Sequence, residues 1–79
     1  MNGLIAALTQ NGLVDGNFII LDRASDGSVV QVVEISDFET MFGSTDGSYA
    51  DLVAADSNAD GTTKGYARFF DAWKEAGIL

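Results

Sequence analysis

The sequence predicts an α+β domain: a short N-terminal helix, a β-hairpin over about residues 17–35, then two or three helices packed on it. Three observations carry this expectation. Two β-rich runs, Asn17–Arg23 (NFIILDR) and Ser28–Ile35 (SVVQVVEI), flank a turn at Ala24-Ser25-Asp26-Gly27. Apolar residues at helical spacing stand on either side, at Leu4, Ile5 and Leu8 and again at Tyr66, Phe69, Phe70 and Trp73. Between them lie two cap-like openings, at Ser36 and at Ser48. The 79 residues suit one compact domain, 1–79, whose core is small enough to be marginally stable.

Taken in order, Asn2 is placed to cap the first helix, and Asn11-Gly12 to end it. Asp15-Gly16 is a turn signal ahead of the first strand. In the second strand Val29, Gln31, Val33 and Ile35 share one face, and Val30, Val32 and Glu34 the other, so neither face is clearly polar. Two strands alone are unstable in water, which calls for helices over one face. Ser36-Asp37-Phe38-Glu39 has the form of a capping box with Ser36 as N-cap, opening a short helix through Phe42 that stops at Gly43. Ser44-Thr45-Asp46-Gly47 reads as a loop, and Ser48 as the cap of a helix reaching about Ala55. Thr62 or Thr63 is the expected cap of the last helix, and Gly77 its stop. The aromatic stripe of that helix, Tyr66, Phe69, Phe70 and Trp73, reads as core rather than as a binding box.

Composition removes several function classes. With no Cys and no His, zinc, haem and disulfide stapling lack ligands, and the commonest catalytic groups are missing, so the chain is not expected to be an enzyme. No cofactor is expected. No apolar run is long enough to cross a bilayer, and Met1-Asn2-Gly3 opens no secretory signal. These features point to a cytoplasmic protein and no membrane partner.

Charge is the strongest compositional signal. The net charge is −8, and residues 24–63 alone hold Asp26, Glu34, Asp37, Glu39, Asp46, Asp51, Asp56 and Asp60 with no Lys or Arg. One-signed fields repel nucleic acid and membranes and steer a protein toward basic surfaces. Acidic surface also keeps small proteins soluble, and first-turn carboxylates favour helix starts. The dipole does not account for the lack of any cation over the whole stretch, and acidic surface kept for solubility alone stays open beside a binding role. The eight carboxylates are the candidate partner-binding residues. Spaced carboxylates imitate duplex phosphates and fit a Lys/Arg groove built for nucleic acid.

Asp56-x-Asn58-x-Asp60-Gly61 has the first half of a calcium loop, with oxygen side chains at alternate positions and Gly at the sixth. The twelfth position, which needs a bidentate carboxylate, is Ala67, so calcium affinity is expected to be weak. The competing expectation is a polar loop of Asx-type turns, with no metal site.

Lys64-Gly65-Tyr66-Ala67, followed by Phe69-Phe70 and Asp71, resembles a helix start in a small acidic phage anti-CRISPR protein. The plan of a short acidic chain with a hairpin and flanking helices is also similar to proteins of that class. Some act as DNA mimics that block target-DNA binding by type I CRISPR surveillance complexes. The resemblance implies a monomeric inhibitor of a basic nucleic-acid-binding protein, a Cascade-type complex, in the cytoplasm of an infected bacterial host, with no direct nucleic-acid binding. Residues 64–79 are nearly neutral, unlike a strongly acidic C-terminal tail, which places any mimic surface at residues 26–60. Two other readings stay open: a structural or assembly module, of a virion or other complex, using apolar edges, and a weak calcium-binding module.

Overall fold

The computed structural model describes residues 2–43, 45 and 47–79. In chain order the elements are α1 (Asn2–Gln10), β1 (Val14–Asp15), β2 (Phe18–Arg23), β3 (Val29–Glu34), α2 (Ile35–Phe42), α3 (Tyr49–Ala55) and α4 (Ala67–Glu75). This is an α+β fold, with a three-stranded antiparallel sheet in the order β1-β2-β3 and helices on one face.

Both ends of the helical set close in the same way. At the end of α4, Gly77 adopts φ +82°, a left-handed conformation that costs glycine little. Gly77 N–H then donates to Lys74 O at 3.1 Å and Ile78 N–H to Trp73 O at 2.9 Å, the two bonds of a Schellman motif. Gly12 and Leu13 repeat it at the end of α1, donating to Thr9 O and Leu8 O.

β1 is an addition to the expected hairpin. Asp15 pairs with Phe18, so Gly16-Asn17 is a two-residue loop, with positive φ at Gly16 and not at Asn17. That is the pattern of a type II′ hairpin turn, which matches the natural twist of the strands. The β2–β3 ladder runs Phe18↔Glu34, Ile19↔Val33 and Ile20↔Val32, then skips Leu21 and Val30 where the strands bulge.

Two expected caps are corrected. Helix α2 begins at Ile35 with Glu34 as N-cap and no side-chain cap bond, so the Ser36–Glu39 capping box does not form. The reason is continuity: Ile35 N–H still donates to Asn17 O in the sheet (2.8 Å), so β3 runs into the helix with no loop in which Ser36 can cap. Helix α4 begins after Tyr66, and neither Thr62 nor Thr63 caps it. Thr62 is held by Asp60 and Asn58, and Thr63 pairs with Ser57 across the loop. Ser48 does cap α3, accepting Asp51 N–H at 3.3 Å.

The core lies between the sheet and the helices. Leu4 and Leu8 from α1, Ile19 and Leu21 from β2, Phe38 and Phe42 from α2, Leu52 from α3, and Phe69, Phe70 and Trp73 from α4 form one cluster. Its centre is aromatic: Phe42 and Phe70 meet edge-to-face at 5.2 Å, and Phe70 lies 5.5 Å from Trp73. The stripe read as core is core, with Tyr66 half-buried at its rim. No helix of the described residues is long and apolar enough to cross a membrane.

Candidate acidic partner-binding surface

The eight carboxylates singled out in the sequence fall into three groups. Asp26, Glu34, Asp37, Glu39, Asp51 and Asp60 are exposed. Asp46 lies outside the described residues. Asp56 is different, at only 3% exposed.

Asp56 belongs to the architecture. Its carboxylate accepts Tyr66 N–H at 2.9 Å, while its carbonyl accepts Lys64 N–H at 2.7 Å. A charged acceptor at the first residues of α4 serves where Thr62 and Thr63 do not. Committed inward, Asp56 presents no charge to a partner.

The exposed six are distributed rather than clustered. Asp26 sits at the tip of the β2–β3 turn, where its carboxylate accepts both the hydroxyl (2.6 Å) and the N–H (2.9 Å) of Ser28. These bonds, the hydroxyl first, hold its pKa below the ordinary aspartate value of 3.8. Asp60 repeats the arrangement with Thr62, at 2.6 and 3.0 Å, and its pKa is lowered for the same reasons. Glu34, Asp37 and Glu39 gather around the start of α2, and Asp51 lies in the first turn of α3. β3 is six residues long, which separates Asp26 from Glu34 by ~20 Å. The charge is therefore spread over a body of 37 × 24 × 23 Å.

The fate of the four cations sharpens this picture. Arg23 donates to Gly27 O at 2.9 Å. Lys64 donates to Ala55 O and Ser57 O, covering carbonyls at the end of α3. Arg68 donates to Gln31 Oε1 and stacks 4.4 Å from the Phe69 ring. Lys74 sits 4.2 Å over the Tyr49 ring, whose hydroxyl donates to Asp71 at 2.5 Å. None of these contacts neutralises any of the six exposed carboxylates.

Strand register brings in one acidic residue that the sequence reading passed over. Asp15 pairs with Phe18, and Phe18 with Glu34, so Asp15 and Glu34 flank Phe18 on one face of the sheet. The Gly16-Asn17 loop is the local signal that places Asp15 in a strand.

The 56–64 segment closes as a narrow turn, with Asn58 N–H on Thr62 O at 2.7 Å and Gly61 N–H on Asn58 O at 3.1 Å. Asp56 is turned to Tyr66, Asp60 to Thr62, and Asn58 donates to the Thr62 hydroxyl. These side chains are engaged in bonds within the loop and to Tyr66, and no group of three His, Cys, Asp or Glu among the described residues is arranged to hold a metal. A groove of about 250 Å³ between β2 and α4 is lined by apolar residues including Leu13, Ile20, Trp73 and Ile78, with Asp22 and Arg23 at its polar end. It is smaller than an ordinary small-molecule site. Comparison with family models, with curated proteins and with solved structures finds no match for this chain.

Proposed function

We propose that this protein is an acidic inhibitor that occupies a basic nucleic-acid-binding groove of a partner protein. The observation that carries the reading is the imbalance at the surface. Among the described residues, six exposed carboxylates stand without a compensating cation, because the four Lys and Arg side chains are held by carbonyls, an amide oxygen or aromatic rings. Charge spread over the body suits an extended row of Lys and Arg better than a point cation, and gains the counterion-release term that nucleic acid gains in such a groove. The likeness of Lys64–Asp71 to an anti-CRISPR helix start supports a type I surveillance complex as that partner.

The test is competition for a labelled target duplex on a purified type I surveillance complex, at low and high salt. The expected result is displacement of the duplex that weakens as salt rises. Asp51→Lys and Asp60→Lys should each weaken displacement while the folded circular-dichroism spectrum is retained. The reading fails if the protein binds the complex while the duplex stays bound. A second reading, an assembly module, is favoured by the exposed apolar residues of β3. Concentration-dependent light scattering of the protein alone would support it.

A further inference from the structure

The outer side of the sheet at Phe18 and β3 is a feature that shares only Glu34 with the acidic surface. Asp15, Phe18 and Glu34 form one cross-strand row and Val32 lies next to Glu34's row along β3, whereas Val32's partner Ile20 is buried beside the groove toward α4, so the open patch is Phe18 and the outer strand β3. The core occupies the opposite face, through Val14, Ile19 and Val33. Phe18, Val29, Val30 and Val32 stand 41%, 49%, 61% and 43% exposed, the last three along β3. Exposed apolar residues grouped on one face and rimmed by charge mark a contact surface.

The main chain is open at the same place. β3 is the last strand of the sheet. Since Ile35 N–H bonds to Asn17 O, alternation turns Val33 toward β2 and turns the N–H and C=O of Val32 to the outer edge. Among the described residues no hydrogen bond takes them. Edge strands are ordinarily blunted by lysine or proline, and Val29–Glu34 (VVQVVE) contains neither.

We infer that β3 receives an extended basic segment of a partner protein as an added strand. Alternate apolar side chains of that segment would lie over Phe18, Val30 and Val32, and its Lys or Arg beside Asp15 and Glu34. Charge selects this occupant over a second copy of the chain. The charges of the row are both carboxylates, and a second copy would bring −8 against −8, whereas a cationic strand is attracted at both ends of the Phe18 row. The inference rests on the sheet and stands or falls apart from the groove reading.

The probe is a short peptide of alternating valine and lysine, with a valine–glutamate peptide as control. Each is titrated into the isotope-labelled full chain and followed by amide shifts and hydrogen exchange. The lysine peptide should shift the amides of Val29–Glu34 and slow exchange at Val32 N–H, and the glutamate peptide should not. Val32→Lys and Glu34→Lys, both at exposed positions, should each lower its affinity about tenfold. Asp51→Lys and Asp60→Lys, which test the acidic surface, should change it by less than about twofold at physiological salt. Unchanged exchange at Val32, or equal binding of the glutamate peptide, overturns the proposal. So does protection of Val32 that grows with protein concentration in the absence of peptide, which would give the edge to a second copy.

Discussion

The Asp56 carboxylate accepts the backbone N–H of Tyr66 at 2.9 Å, joining the end of α3 to the start of α4. Removing it leaves a donor at the start of α4 without its acceptor, at a cost of ~1–3 kcal/mol. Asp56→Ala should therefore lower the urea midpoint by an amount equivalent to that loss, while Asp51→Ala, exposed on α3, should fall within about 0.5 kcal/mol of wild type. Equal midpoints for the two variants would remove Asp56 from the architecture. Asp56→Lys is for the same reason unsuitable as a charge-reversal test of binding, since it introduces an unpaired cation at a buried site.

Phe70 is fully buried and meets Phe42 edge-to-face at 5.2 Å, Trp73 at 5.5 Å and Phe38 at 6.3 Å. Phe70→Ala removes both burial and ring contacts, for a loss of ~3–5 kcal/mol. A domain of 79 residues has a total stability of ~4–12 kcal/mol, so this single change consumes a large share of it. The expected outcome is a melting transition shifted far down or absent by circular dichroism, with the near-ultraviolet signal of Trp73 diminished. Phe70→Leu, which keeps more of the volume, should sit between the two.

The features legible in the sequence were those set by local chemistry. Gly12 and Gly77 end their helices, Ser48 caps α3, and Tyr66, Phe69, Phe70 and Trp73 turn one face to the core. Features set by pairing at a distance were not legible. β1 is two residues long and has no periodicity to read, and its existence depends on the Gly16-Asn17 turn folding it onto β2. The register Asp15–Phe18–Glu34 and the skipped Leu21 follow from that pairing, so the uncovered acidic-apolar row could not be written from one strand at a time. Asp56 misled for a related reason. In the sequence it is one more carboxylate in a polar loop, and only the approach of Tyr66 ten positions later turns it inward.

Asp26 and Asp60 carry their charge to lower pH than an ordinary aspartate. Each accepts a hydroxyl and an N–H from the residue two positions on, Ser28 or Thr62, and these bonds favour the ionised form. With the folded pKa below the ordinary aspartate value of 3.8, the stabilisation is present above that value and is lost as pH falls through the folded midpoint. Carboxyl titration by NMR should place both midpoints below 3.8. Ser28→Ala and Thr62→Ala should each move the matching midpoint back toward it. Midpoints that do not respond would mean that the bonds are not maintained in solution.

At the alkaline end the sign reverses. The Tyr49 hydroxyl donates to Asp71, a bond that only the neutral phenol can make, and this together with the nearby negative charge raises its pKa above 10.0. Tyr66 is raised first by burial and then by the charges of Asp37 and Asp56. A folded pKa above the unfolded one contributes stability that is fully present below pH 10.0 and is lost as pH rises through the folded midpoints. Ultraviolet difference titration of the native chain should therefore show tyrosine ionisation starting later than in the unfolded chain. Asp71→Ala should bring the Tyr49 part of the curve back toward 10.0 while leaving the Tyr66 part in place, because Asp71 is not among the groups acting on Tyr66. A curve that moves as a whole would instead tie both tyrosines to one opening of the α3–α4 contact.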